Sequence, residues 1–224
     1  MIIGDLPYFI TKTERDDLFV EGFLAGAPPD RYTQKGQYWG LPIFDWEHKY
    51  EENLAYLLKR LHRAFSLFDV VRLDHFCGLA AVWAIPAKYK SGKKGDWLKV
   101  PGERILTKIR QKFPDKILIA EDLGIITPEV TELRKKFGLL GTKVMVFGAR
   151  KVKKDEVLYS STHDTMGMGK IREFRDVREL GERSGAKIFI IPMWDILGLG
   201  KGFRFNRPGR KGGNWQWRID KIEK

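Results

Sequence analysis

The sequence VVRLDH places a basic and an acidic side chain two residues apart, at the end of a run rich in β-branched residues. If this run is a strand, Arg72 and Asp74 point to the same face. A guanidinium beside a carboxylate keeps that carboxylate ionised and oriented, as a nucleophile for sugar transfer requires. The alternative is a structural ion pair at the end of a strand, with no role in catalysis.

Two further apolar runs are followed by acidic residues. Glu121 comes after four apolar residues in ILIAEDLG, so we expect partial desolvation to raise the pKa of its carboxyl and to suit it to general-acid catalysis. Asp164 follows another apolar run, in STHDT. The alternatives are that Glu121 and Asp122 only cap the next helix, and that STHDT is a turn rich in N-cap residues.

Two carboxylates in unlike environments can provide the nucleophile and the acid of a retaining glycoside mechanism. A third carboxylate and two histidines, His75 and His163, can hold sugar hydroxyls and favour a positively charged transition state. Metal catalysis is a competing hypothesis, because each histidine adjoins an aspartate. The sequence has no HxH or HExxH motif, which disfavours a metal site. It has no GxGxxG motif after an apolar run, which disfavours a dinucleotide-binding site.

The elements that would position these residues alternate along the chain. Short apolar runs cover residues 1–9, 68–76, 116–124, 142–148, 156–162 and 186–194. Amphipathic patterns predict helices over residues 53–68, 102–113 and 127–138. This alternation predicts an α/β protein with a buried parallel sheet. Carboxylates at the ends of several runs, Asp5 included, favour a barrel over a doubly wound sheet, because those ends meet at one mouth.

Trp39 lies within residues 26–42, a segment rich in glycine and proline that we predict to be a loop. Loops of this kind are often lids or binding loops, and an indole can cover the apolar face of a pyranose. Plain core packing is the alternative for four other tryptophans, and we prefer it for most of them: Trp46, Trp83, Trp215 and Trp217.

Composition excludes several classes of protein. The net charge of +12 raises the question of nucleic acid, but the basic clusters at 88–99 and 149–156 have the pattern of solvated loops and lack any nucleic-acid-binding motif. No apolar run is long enough for a membrane span, and the N-terminus lacks a secretory pattern. The single cysteine, Cys77, fits a reducing compartment, so we predict a cytoplasmic protein. From the charge pattern and the apolar runs we also predict that the protein binds neither nucleic acid nor membrane.

Eight strings together resemble one enzyme family. They are IGDLPYF, APPD with GQYWG, FDVVRLDHF, IAEDLGIITPEV, STHDT, and FNRPG with GNWQWR. In this order they resemble the amylomaltases, the 4-alpha-glucanotransferases of glycoside hydrolase family 77 in the α-amylase clan. The resemblance implies that Asp74 is the nucleophile, Glu121 the general acid/base and Asp164 the transition-state stabiliser.

The resemblance also implies a set of substrate-binding residues, namely Asp5, Trp39, Arg72, His75 and His163. The implied reaction moves 4-α-glucan segments between maltooligosaccharides by a retaining double displacement, with no organic cofactor and no metal. The implied fold is a (β/α)8-barrel, in which residues 1–224 form one truncated catalytic domain without the first two strands and the inserted N-terminal subdomain. The alternatives are a non-catalytic glucan-binding module and a half-enzyme whose barrel is closed by an N-terminal partner chain.

Overall fold

The computed structural model describes residues 1–11, 15–30, 33–168, 174–200, 202–208, 210 and 212–219. The chain divides into two compact units, Met1–Gly141 and Thr142–Lys224. No helix in the described part of the chain combines the length and the hydrophobicity that a membrane crossing requires.

The described residues have a mixed α/β architecture. The strands are β1 (Ile3–Leu6), β2 (Phe19–Ala27), β3 (Gln37–Phe44), β4 (Val70–Leu73), β5 (Ala81–Pro86), β6 (Asp96–Lys99), β7 (Ile117–Ala120), β8 (Gly141–Val144), β9 (Glu156–Tyr159) and β10 (Phe189–Ile190). The helices are α1 (Tyr50–Leu67), α2 (Gly102–Lys112), α3 (Pro128–Lys136), α4 (Phe174–Ser184) and α5 (Met193–Ile196). Each of the six predicted apolar runs contains or overlaps a strand.

The first unit contains a parallel sheet in the order β1-β4-β7. The register places Asp5 beside Arg72, and Arg72 beside Ile119. All three strands run in the same direction, so the residues that follow them lie at one edge of the sheet. This edge carries the acidic residues that the sequence singles out in the first unit.

Helices α1 and α2 supply much of the core of the first unit. Leu61 of α1 and Leu106 of α2 have no exposed surface, and their neighbours at helical spacing are also buried. Burying one such side chain stabilises the fold by about 1.5–3 kcal/mol. The helical pattern over residues 53–68 is therefore confirmed, although α1 begins earlier, at Tyr50.

Helix α3 begins and ends as its sequence predicts. The Thr127 hydroxyl accepts a hydrogen bond from the Val130 N–H at 3.3 Å, and Pro128 occupies the first helical position. Gly138, with a φ of 62°, lies beyond the end of the helix in the left-handed region that glycine adopts without strain. The end of β7 is therefore followed by a short connection and a well-capped helix.

An antiparallel sheet in the order β3-β2-β5-β6 was not predicted. The prediction of a loop over residues 26–42 is wrong at both ends, because β2 continues to Ala27 and β3 begins at Gln37. Glycine here reflects close approach of backbones: a side chain at Gly26 would collide with the Gln37 carbonyl. The basic segment 88–99 is also not all loop, since its last four residues form the exposed strand β6.

The second unit contains the sheet order β10-β9-β8, with β9 and β10 parallel. Every residue of β9 is buried. Aromatic rings of the C-terminal segment pack on α5, as shown by the stacked rings of Trp194 and Phe205, whose centroids are 5.2 Å apart. Trp215 departs from the core-packing prediction, because 52% of its surface is exposed.

Candidate active site

Arg72 lies between two carboxylates at the edge of the parallel sheet. Its Nη1 atom is 2.6 Å from Oδ1 of Asp5 and 2.9 Å from Oδ1 of Asp74. The Arg72 side chain is only 12% exposed, whereas the carboxylates of Asp5 and Asp74 reach solvent. The same-face geometry predicted from the spacing of Arg72 and Asp74 is confirmed.

The electrostatics of Arg72 follow from this arrangement. Burial alone would lower the pKa of the guanidinium, but the negative charges of Asp74, Asp5 and Glu121 raise the pKa above its ordinary value. Arg72 therefore stays protonated and fixes an oxygen of Asp74. The Asp74 backbone is also held, because its N–H donates to the Leu6 carbonyl at 3.1 Å.

Glu121 is joined to the turn that follows β4. Its Oε2 atom accepts a hydrogen bond from the His75 backbone N–H at 3.0 Å. Two backbone bonds of 3.0 Å fasten the same residue, one from its N–H to the Leu73 carbonyl and one from the Phe76 N–H to its own carbonyl. The predicted general acid is thus held beside the turn that carries the predicted nucleophile.

His75, whose backbone N–H binds Glu121, has an uncommon backbone conformation. Its φ of 49° places it in the left-handed region, which few non-glycine residues occupy. Its ring contacts Phe9 and Trp39, with centroid distances of 5.4 and 4.9 Å, and the Cys77 Sγ lies 3.5 Å from its Nε2. Burial lowers the pKa of His75 to about 4, against a weaker opposing effect of Asp74, so the ring is neutral at neutral pH.

The low pKa of His75 makes stability depend on pH. Between the ordinary value of 6.5 and about 4, the unfolded chain binds a proton that the folded chain excludes, so acidification favours unfolding. For this part-exposed ring we expect a loss on the order of 2 kcal/mol in the free energy of unfolding. His75→Asn, which tolerates the left-handed conformation, should show a smaller loss in urea titrations across this range.

His62, exposed on α1, offers the matched control. His62→Asn should leave the pH dependence of the free energy of unfolding as in the unsubstituted chain. If His75→Asn and His62→Asn showed the same dependence on pH, the ring of His75 would not be its source.

Trp39 lies in β3 rather than in a predicted loop. Its ring is partly buried against the core, contacts His75 edge-on, and packs against Phe9 with a centroid distance of 5.5 Å. The indole N–H donates to the Gln37 side-chain oxygen at 3.0 Å. A strand therefore presents Trp39 to the turn after β4, and a separate lid is not required for that contact.

Asp122 has a structural partner that the sequence did not reveal. Its Oδ2 atom lies 3.3 Å from the Arg134 Nε, and both side chains are almost fully buried. The alternative that Glu121 and Asp122 cap the next helix is wrong, because Thr127 caps α3. This buried pair fixes the backbone immediately after Glu121.

In the second unit, His163 and Asp164 belong to a tight turn. The Thr165 N–H donates to the Thr162 carbonyl at 3.1 Å, so the segment is a turn, as the alternative interpretation of STHDT expected. The two oxygens of Asp164 have different partners: Oδ1 accepts from the Asn206 amide at 2.5 Å, and Oδ2 lies 3.2 Å from the His163 Nε2. The carboxylate is therefore fixed although it remains part-exposed.

The C-terminal strings FNRPG and GNWQWR contain residues that contact His163 and Asp164, and the sequence patterns assigned these residues no role. Besides Asn206, the Arg204 guanidinium donates to the Asp164 carbonyl at 2.7 Å. The Trp215 ring lies over His163, with centroids 5.1 Å apart, and this residue also has a left-handed φ, of 62°. The only available signal was that both strings belong to the family pattern.

The structure thus brings together six of the eight predicted site residues in the first unit, and the other two in the second. The first group consists of Asp5, Trp39, Arg72, Asp74, His75 and Glu121, and the second of His163 and Asp164. Among the described residues, no group of three or more His, Cys, Asp or Glu side chains is arranged to hold a metal ion.

Acidic groups at the ends of parallel strands, with one carboxylate fixed by arginine and another by a backbone N–H, define a site suited to glycoside chemistry. Comparison with known proteins identifies the family of the chain. The model of glycoside hydrolase family 77, described as 4-alpha-glucanotransferase, matches residues 1–175. The chain belongs to this family.

Individual relatives are similar over nearly the whole chain. The 4-alpha-glucanotransferase of Thermus thermophilus is 35% identical over 268 residues, and that of Aquifex aeolicus is 36% identical over 261 residues. Each alignment covers 97% of this chain and 54% of the relative. The solved structure of the amylomaltase from Streptococcus agalactiae in complex with acarbose aligns with a TM-score of 0.85 and 26% identity, over 98% of this chain and 53% of that one. This chain spans about half the length of these relatives.

Proposed function

We propose that this chain carries the catalytic residues of a 4-alpha-glucanotransferase that moves 4-α-glucan segments between maltooligosaccharides. The observation that supports this most strongly is the pair of carboxylates, Asp74 and Glu121, that directly follow the neighbouring parallel strands β4 and β7. Asp74 is paired with Arg72, and Glu121 accepts the His75 N–H. Family membership supplies the substrate class.

The reaction has two displacements at the anomeric carbon. An Asp74 oxygen forms a bond to C1 of the donor glucose while the bond from C1 to the leaving oxygen breaks. Glu121 acts as the general acid and gives a proton to that oxygen. In the second step the 4-hydroxyl of an acceptor attacks C1, its proton passes to Glu121, and the bond between C1 and Asp74 breaks. The configuration at C1 is retained.

Arg72 and His75 serve this chemistry by orientation. The Arg72 guanidinium binds and directs one oxygen of Asp74, and the other oxygen attacks C1. The neutral ring of His75 and the half-exposed carboxylate of Asp5 can hydrogen-bond sugar hydroxyls, and Trp39 provides an apolar surface for a pyranose ring. We assign these four residues to substrate binding, together with His163.

Asp164 is proposed as the transition-state stabiliser. A negative charge that is fixed before reaction stabilises the positive charge that develops on the sugar ring. The contacts of Asp164 with Asn206 and His163 are consistent with such a fixed charge. This role rests on the family pattern.

We further propose that the two units form one catalytic domain of the (β/α)8-barrel type, without a metal or an organic cofactor in the reaction. The parallel sheet of the first unit, the parallel pair β9–β10, and the structural alignment over 98% of the chain support a barrel. A barrel brings carboxylates from different strands to one mouth, which the double displacement requires.

Product analysis with maltotriose tests the proposed function. Transfer should convert maltotriose into glucose and a ladder of longer maltooligosaccharides, with the number of glycosidic bonds conserved. The same assay is repeated after adding the part of the Thermus thermophilus relative that this chain does not match, which tests the half-enzyme alternative. Glucan binding without a ladder in either assay would contradict the proposal and favour a binding module.

A further inference from the structure

A buried carboxylate in the second unit has no role in the double displacement. Asp195, in α5, is 1% exposed. Its Oδ2 atom accepts hydrogen bonds from the hydroxyls of Ser160 and Ser161, each at 2.6 Å. Its Oδ1 atom accepts the Met168 backbone N–H at 2.8 Å. Three donors offset the cost of burying the charge.

The partners of Asp195 lie on both sides of the segment 162–167, which contains His163 and Asp164. Ser160 and Ser161 precede this segment directly, and Met168 follows it. One carboxylate therefore joins the two ends of the turn. The contact is close: a Cβ added to Gly167 would lie only 3.0 Å from the Asp195 Oδ1.

A second residue of α5, Trp194, also binds Ser161, at the N-terminal end of the segment. The Trp194 indole N–H donates to the Ser161 hydroxyl oxygen at 3.0 Å. The Ser161 hydroxyl thus accepts from Trp194 and donates to Asp195, which fixes its orientation. Two consecutive residues of α5, Trp194 and Asp195, therefore bind Ser161, which directly precedes the turn.

Most side chains of the segment are exposed or part-exposed, although Thr165 is buried and the His163 ring packs against Trp215. Met166, its largest apolar side chain, is 53% exposed, and the side chains of His163 and Asp164 are part-exposed. Polar contacts therefore hold the segment, with Asp195 at its ends and with Arg204 and Asn206 in its middle. Loss of a buried acceptor would leave several donors without a partner.

We propose that Asp195 is a positioning residue, which holds the His163–Asp164 segment in the conformation needed for transfer. The inference rests on the proposed function, since it assumes that Asp164 acts on the substrate. Asp195 itself does not touch the sugar. An amide in its place offers a single oxygen acceptor and no charge, so it cannot satisfy the three donors equally well.

The test compares two buried carboxylates of the same unit. Asp195→Asn should lower kcat for maltotriose transfer by about 10- to 100-fold, with KM changed by less than about threefold, because the reacting geometry is sensitive to small displacements. Glu156→Gln is the matched control: Glu156 is 8% exposed and accepts the Lys153 N–H at 2.8 Å, outside the segment. It should lower Tm while leaving kcat within about threefold of the unsubstituted value.

Two measurements distinguish positioning from loss of stability. Hydrogen exchange of the backbone amides of 162–168 should accelerate in Asp195→Asn and not in Glu156→Gln. In an Asp164→Asn background, Asp195→Asn should cost less than about threefold in the residual kcat, because the residue that it positions is already disabled. An equal loss of kcat in both backgrounds, or equal losses in the two single variants, would overturn the proposal.

A milder variant covers the case in which Asp195→Asn does not fold. Ser161→Ala removes one donor and should lower kcat by about 3- to 10-fold, with faster exchange in the same segment. Unchanged exchange and unchanged kcat in Ser161→Ala would count against the inference. If the unsubstituted chain showed no transfer, the proposed function would fail, while hydrogen exchange would still report whether Asp195 orders the segment.

Discussion

Asp74→Asn is expected to lower kcat for maltotriose transfer by about 10⁴-fold or more, because an amide cannot form the ester-like bond to C1. The substitution preserves the shape of the side chain, and an amide oxygen can still accept from Arg72, so we expect little change in fold. Rates of glucose release and of ladder formation, measured at matched protein concentration, should fall together.

Asp69→Asn provides a matched control just before β4. Asp69 is exposed and accepts the Ile2 N–H at 2.7 Å, far from the acidic edge of the sheet. Its replacement should leave kcat within about twofold of the unsubstituted value. In Asp74→Ala, azide should restore turnover of α-maltosyl fluoride and give the β-azide by a single inversion. A kcat for Asp74→Asn within tenfold of the unsubstituted chain would exclude Asp74 as the nucleophile.

Glu121→Gln is expected to have a smaller effect that depends on the leaving group. Transfer from maltotriose should fall by about 10²- to 10⁴-fold, because the leaving sugar needs a proton. With α-maltosyl fluoride, whose leaving group needs no proton, formation of the intermediate should be much less affected. Azide should then accelerate breakdown of the intermediate and give the α-azide, which requires two inversions.

Glu129→Gln, at an exposed position of α3, serves as the control for removal of a surface carboxylate and should leave both rates unchanged. Opposite azide anomers from the Asp74 and Glu121 variants would separate the two roles by stereochemistry. If Glu121→Gln reduced transfer from maltotriose and reaction of the fluoride by the same factor, Glu121 would not be the proton donor.

Much of the parallel sheet of the first unit was predictable because it depends on local patterns. Buried parallel strands have nearly continuous apolar runs, and β1, β4 and β7 fall within three of them. Helix α3 was predictable because Thr127 and Gly138 act on their immediate neighbours. The antiparallel sheet was not, because glycines that allow close approach of strands resemble glycines of loops.

Part of the candidate site was also predictable from local sequence patterns. The spacing of Arg72 and Asp74 places both on one face of a strand, and no other information is needed for their pairing. The contact between Asp5 and Arg72 depends on pairing of strands 67 residues apart, and that of Asp195 with Ser161 on residues 34 apart. The left-handed conformation of His75 could not be predicted, because tertiary contacts impose it on a residue that seldom adopts it.

Covalent trapping tests most directly whether this chain forms a glycosyl intermediate on Asp74. The chain is incubated with a maltosyl fluoride that carries a second fluorine on the sugar ring, which slows breakdown of the glycosyl intermediate. The labelled peptide is identified by mass spectrometry after digestion with a protease active at acidic pH. We expect one maltosyl adduct per chain, attached to Asp74, absent in Asp74→Asn and released when maltotriose is added as acceptor. An adduct on another carboxylate, or no adduct while maltotriose is converted into a ladder, would contradict the assignment of Asp74 as the nucleophile.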